Sequence, residues 1–171
     1  MSQFILSDPN FSDGTNKDVI EAIVGEFRDK PGVKLIGYEP DPDFDRLPVE
    51  VLGRPEAVRE ALLNAAARAY ELIDMEKQHG HHPRIGAVDT IEIYPAKGIT
   101  IEECKAFAED LGNELFKRHG VPIYFTGKNA RRPDREDESR HSEPGPFSGA
   151  ASPPNTQRSG YVMRTSLRLA W

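Results

Sequence analysis

Pro55 to Gln78 reads PEAVREALLNAAARAYELIDMEKQ, and its pattern decides the fold. Apolar side chains return at Val58, Leu62, Ala65, Ala69, Leu72 and Met75. A spacing of three and four places them on one stripe of an α-helix. Pro55 suits the first helical position, where a missing N–H leaves nothing unpaired, and the many alanines let the helix lie close on a sheet. The stretch that follows is Gln78-His79-Gly80-His81-His82-Pro83-Arg84-Ile85-Gly86-Ala87-Val88-Asp89. It leads into a strand from Ala87 to Tyr94, marked by β-branched Val88, Thr90, Ile91 and Ile93.

Upstream of that helix, Phe4-Ile5-Leu6 reads as a first, buried strand ended by Asp8-Pro9. Asn16 is placed to cap a helix over 16–29, with apolar Val19, Ile20, Ile23, Val24 and Phe27, and Pro31-Gly32 stops it. Val33 to Tyr38 is a second strand. The acidic loop Glu39-Pro40-Asp41-Pro42-Asp43 continues it and reads as a solvated turn, because two prolines and no glycine break a calcium-loop pattern. Leu47 to Leu52 is a third strand, expected near an edge because Pro48 cannot donate to a ladder. Downstream, Thr100-Ile101-Glu102-Glu103 resembles a capping box and opens a helix over 101–119 that Gly120 ends. Val121 to Phe125 is a last strand.

The order β-α-β-β-α-β followed by α-β predicts an α/β sandwich: a ferredoxin-like split βαβ arrangement, with a mixed sheet and helices packed on one face. Residues 1–127 form this domain. Residues 128–171 read as a low-complexity, disordered tail, since from Lys128 to Gly160 the only large apolar residue is Phe147. The last run, from Tyr161 through Trp171, has enough apolar side chains to dock back or to stay free.

Charge narrows the function. Residues 1–127 hold 14 basic and 23 acidic residues, a net of −9, whereas residues 128–171 hold 8 and 5, a net of +3. An acidic body repels a phosphate backbone, so nucleic acid is not the expected partner. No apolar run has membrane-spanning length, and the N-terminus lacks the basic and apolar regions of a signal peptide. The single cysteine, Cys104, fits a reducing compartment, and the cytoplasm is expected. Cys104 lies on the apolar stripe of its helix and reads as a core residue.

The histidine loop is the candidate site. Three of the five histidines fall within four residues, between a helix and a strand, where rigid scaffolds present reactive groups. An imidazole there can take and return a proton near neutral pH. Pro83 restrains His82, whereas His79 and His81 read as solvated loop residues. No metal is expected, because the loop offers no helical pair of ligands and one cysteine adds little. The chemistry alone leaves His82 open between a general base and a surface residue.

Gly80-x-His82-Pro83-Arg84-Ile85-Gly86-Ala87-x-Asp89 resembles a signature of the formiminotransferase family, and Pro9-Asn10-Phe11-Ser12-Asp13-Gly14 is similar to that family's opening motif. The likeness continues through Asp45-Arg46, Gly53-x-Pro55 and Glu71-Leu72-Ile73-Asp74-Met75, and runs from about Phe4 to Phe125. It implies an N-terminal subdomain of a glutamate formimidoyltransferase, which moves a formimino group from N-formimino-L-glutamate to tetrahydrofolate, the co-substrate, in histidine breakdown. By resemblance the catalytic histidine is His82. Asn10, Glu39, Arg46, Arg84 and Asp89 fall on positions that bind substrate or folate, the two arginines being suited to carboxylates. Asp89 has a second reading, as a strand-start residue that only holds the loop, and Asp45 has one as an internal partner of Arg46. In this family the folate site lies between two subdomains, so a homodimer or a separate C-terminal subunit is implied. The other reading is a non-catalytic module that binds folate or a partner.

Overall fold

The computed structural model describes residues 2–82, 85–130 and 163–167. Its elements in chain order are β1 (Phe4–Phe11), α1 (Lys17–Val24), β2 (Val33–Tyr38), β3 (Leu47–Gly53), α2 (Pro55–Leu72), β4 (Val88–Lys97), α3 (Ile101–His119), β5 (Ile123–Gly127) and β6 (Met163–Leu167). The strands form one sheet in the order β2-β3-β1-β4-β6-β5. The first four are antiparallel neighbours, and β6 runs parallel to both β4 and β5, so the whole sheet is mixed. The four-stranded antiparallel part with α1 and α2 is the split βαβ arrangement that the sequence predicts.

Alternation places the core. Ile5, Ser7 and Phe11 of β1 are buried, as are Leu47, Val49 and Val51 of β3 and Ile91 and Ile93 of β4. Every second residue of a strand points to the same face, and that face meets the helices. The helices answer with Ile23 and Val24 from α1, Leu62 and Ala65 from α2, and Cys104 and Leu111 from α3, all fully buried. Each large apolar side chain so buried contributes roughly 2 kcal/mol. Burial also pushes the Cys104 thiol up to about 11, which suits a packing residue.

Local signals form as the sequence predicts at two helix starts. Asn16 Oδ1 accepts from Asp18 N at 3.1 Å, and Thr100 and Glu103 form the full capping box. Gly120 takes the left-handed conformation (φ 67°) and closes α3.

Four expectations need correction. The helix begun at Pro55 ends at Leu72, not Gln78, and Ile73 is extended; Met75 packs on the core from the turn that follows. A stripe of apolar residues persists through that turn because its side chains still reach the core, so periodicity overstates the helix. The first helix ends at Val24, and residues 25–29 form turns that still bury Phe27. Asp8-Pro9 does not end β1; pairing with β4 continues through both, while the register with β3 passes from Ser7 to Asn10 where Pro9 has no N–H to give. Finally, β3 is interior, between β2 and β1. Pro48 is tolerated because it stands at the strand's start, beyond the last β2 partner, Tyr38, and uses its carbonyl to accept from Glu39 N at 3.3 Å.

Of the residues expected as a tail, Lys128–Ala130 turn beyond β5, with Asn129 Nδ2 donating to Lys105 O at 3.1 Å. Met163–Leu167 docks as β6 between β4 and β5, and the rest of that expectation lies outside the described residues. No helix among the described residues is long and apolar enough to cross a membrane.

Candidate functional site

Three loops meet at one end of the sheet. The first follows β1, the second joins β2 to β3, and the third joins α2 to β4. Each is tied down by a buried aspartate that accepts backbone N–H groups. Asp13 Oδ1 accepts from Thr15 N at 3.0 Å and Asn16 N at 2.9 Å. Asp45 Oδ1 accepts from Gly14 N at 2.8 Å, and its Oδ2 from His79 N at 3.2 Å. Asp89 Oδ1 accepts from Ile85 N at 3.1 Å. The two bonds of Asp45 cross between loops, so this carboxylate joins segments that are distant in the chain. Asp45, just past the acidic turn, is 1% exposed.

Arg46 lies at the centre and is 4% exposed. Its Nη1 donates to Ser12 Oγ at 2.7 Å, and Ser12 Oγ in turn donates to Gly86 O at 2.7 Å. Its Nη2 pairs with Asp89 Oδ2 and also lies 3.0 Å from His82 Nδ1. A buried guanidinium needs an anion close by, and Asp89, itself 4% exposed, supplies it. Phe44 approaches the His82 ring edge-on, with centroids 6.4 Å apart. His82 is solvent-exposed at the mouth of this cluster, as are His81 and His79.

The expected residues therefore divide. His82, Arg46 and Asp89, up to 43 residues apart, come together. Asp89 also holds the loop through Ile85 N, which is its second reading. Asn10 lies nearby on β1, paired with Pro48 and Thr90, on the sheet face turned away from the helices. Its Oδ1 is buried without a hydrogen-bond partner among the described residues. Glu39 is exposed beyond β2, and its carboxylate bonds none of the cluster. Arg84 and Pro83 lie outside the described residues. Sequence reasoning passed over Ser12, Asp13 and Asp45 as members of the site. The signal was present, since all three stand inside or beside the motifs, but nothing local distinguishes a buried serine or aspartate from one in a turn.

The arrangement offers a histidine held by a buried cation, at the end of a sheet one of whose faces carries no helix among the described residues. Fold and site define an α/β domain of the split βαβ kind with a buried arginine–carboxylate cluster beneath a histidine loop. Over residues 4–157 the chain matches the formiminotransferase domain, N-terminal subdomain, and it belongs to that family. It is 43% identical over 136 residues to a formimidoyltransferase-cyclodeaminase of Sus scrofa, covering 80% of this chain and 25% of that protein. It is 34% identical to a glutamate formimidoyltransferase of Streptococcus pyogenes serotype M1, covering 80% of this chain and 46% of that one. A glutamate formimidoyltransferase of Thermoplasma acidophilum is 33% identical over 129 residues, 43% of its length. The chain thus spans between a quarter and a half of the length of these relatives.

Proposed function

We propose that this chain is the N-terminal half of a glutamate formimidoyltransferase, moving a formimino group from N-formimino-L-glutamate to N5 of tetrahydrofolate. A second subdomain completes the site. The observation that carries the reading is the convergence of His82 from the α2–β4 loop, Arg46 from the β2–β3 loop and Asp89 from the start of β4 onto one sheet end. The reaction exchanges amines at an amidine carbon: the attacking nitrogen loses a proton and the departing glutamate nitrogen gains one. One imidazole at His82 does both in turn, as a positioned acid–base group. Asn10, Glu39, Arg46, Arg84 and Asp89 are the binding set in this reading. The unpartnered Oδ1 of Asn10 is an acceptor that a pterin N–H would satisfy.

The test supplies the chain with a C-terminal subdomain, tetrahydrofolate and formiminoglutamate, and follows formimino-tetrahydrofolate. His82→Ala is expected to lose roughly 10²–10⁴-fold in kcat, the usual loss for a positioned acid–base group. His79→Ala and His81→Ala are expected to stay within a few-fold of the parent. Absence of transfer with the partner supplied would leave the chain as a binding module.

A further inference from the structure

We infer that Arg46 is a positioning residue that acts on the reaction through His82, by holding its imidazole in one tautomer. Two neighbouring histidines have Nδ1 atoms that face partners of opposite kind. His82 Nδ1 lies 3.0 Å from Arg46 Nη2. A guanidinium has only N–H donors and keeps its charge throughout the working pH range. Nδ1 of His82 is therefore the acceptor, and the proton of the neutral ring stands on Nε2. His81 Nδ1 lies 3.1 Å from the carbonyl oxygen of Asp43. A carbonyl only accepts, so here Nδ1 donates, and the lone pair of the neutral ring stands on Nε2. Adjacent rings are thus held in opposite tautomers.

Arg46 holds its bond because the guanidinium is itself held. Ser12 Oγ accepts from Nη1 at 2.7 Å, and Asp89 pairs with the same Nη2 that reaches His82. Nη2 carries two hydrogens, one for each partner. Asp89 fixes the guanidinium and the guanidinium fixes the ring. The consequence rests on the proton-transfer role proposed for His82. In the neutral ring the only basic nitrogen is Nδ1, and Arg46 covers it. As the attacking amine nitrogen bonds the amidine carbon, its proton reaches Nδ1 once the Arg46 bond opens. The imidazolium so formed then gives a proton to the glutamate nitrogen as the old C–N bond breaks. Until that opening, His82 meets its surroundings as an N–H donor.

The test reads the tautomers directly, on the full chain with ¹⁵N-labelled histidine, by long-range ¹H–¹⁵N correlation at about pH 8.5, where ordinary imidazoles are neutral. The expected result is a proton on Nε2 in His82 and on Nδ1 in His81. Arg46→Met, made together with Asp89→Leu so that no buried charge is stranded, should let His82 exchange between both tautomers while His81 keeps its own. Arg46→Lys keeps a donor and should retain the parent pattern. A proton on Nδ1 of His82 in the unaltered chain overturns the inference, as does an unchanged His82 pattern in the double variant with His81 intact. The measurement needs no substrate. Failure of the transfer assay would sink the proposed activity and leave the tautomer assignment standing, and a wrong tautomer would overturn this inference without touching the proposed activity.

Discussion

Arg46 and Asp89 are each almost completely buried, and they face each other across the end of the sheet. Removing one member strands the other without water or counter-charge, which typically costs about 3–5 kcal/mol, whereas replacing both by apolar groups is often close to neutral. Arg46→Met alone is therefore expected to lower the denaturation midpoint sharply, and Arg46→Met with Asp89→Leu to recover most of it. Equal losses in the single and double variants in a urea melt would show that the pair is not what holds the three loops. Gly14 makes a second prediction at this scale. A Cβ there would stand 2.2 Å from Asp41 O, 2.6 Å from Arg46 N and 2.7 Å from Arg46 O. All three are backbone atoms, and they belong to the bridge in which Asp41 and Arg46 exchange hydrogen bonds of 2.8 and 3.0 Å. No rotamer change relieves such a contact. Gly14→Ala is expected to cost about 3 kcal/mol, at the upper end for overpacking, and an unchanged melting temperature would contradict that close approach.

Among the helices, the junction of α2 and α3 carries a titrating contact. His119, in the last turn of α3, packs its ring on Tyr70 of α2 with centroids 5.0 Å apart, and its Nε2 is buried without a partner among the described residues. Burial, and then the neighbouring Arg118, hold its pKa below the ordinary value of 6.5. The unfolded chain then binds this proton more readily than the folded one, so stability is full above pH 6.5 and falls as pH drops toward the depressed value. His119→Phe keeps a ring against Tyr70 and removes the titration. Its melting temperature should lose less than the parent's between pH 7 and 5. The carboxylates held below their ordinary 4.5, Glu103 chiefly by Thr100 N–H and Glu114 chiefly by Arg118, act in a lower window and leave this comparison clear. Parallel pH curves for the two proteins would count against the junction as a proton-linked contact.

At the scale of the molecule, β6 joins the two parts of the sheet. Among the described residues β5 pairs with β6 and β6 with β4, so β6 carries the strand pairing between β5 and the antiparallel core. Ending the chain at residue 162 should expose the amides of β5 to exchange while those of β1 keep their protection, since β1 pairs with β3 and β4. Undiminished protection in β5 would refute that linkage. The sequence by itself determined what a bond across three or four residues can decide: the Asn16 cap, the Thr100–Glu103 box, the stop at Gly120, and the alternation of β2, which runs from Val33 to Tyr38 as expected. The family motifs likewise marked His82 and Asp89 without placing them. Only the tertiary structure decided that α2 stops at Leu72 while Met75 stays against the core, that Pro48 sits second in an interior strand, that Met163–Leu167 enters the sheet, and that the ion pair of Arg46 is with Asp89. Those outcomes follow from register and burial. The partner of a buried charge, or of an unpaired strand edge, is whatever segment the sheet brings beside it, and no local periodicity encodes a neighbour tens of residues away.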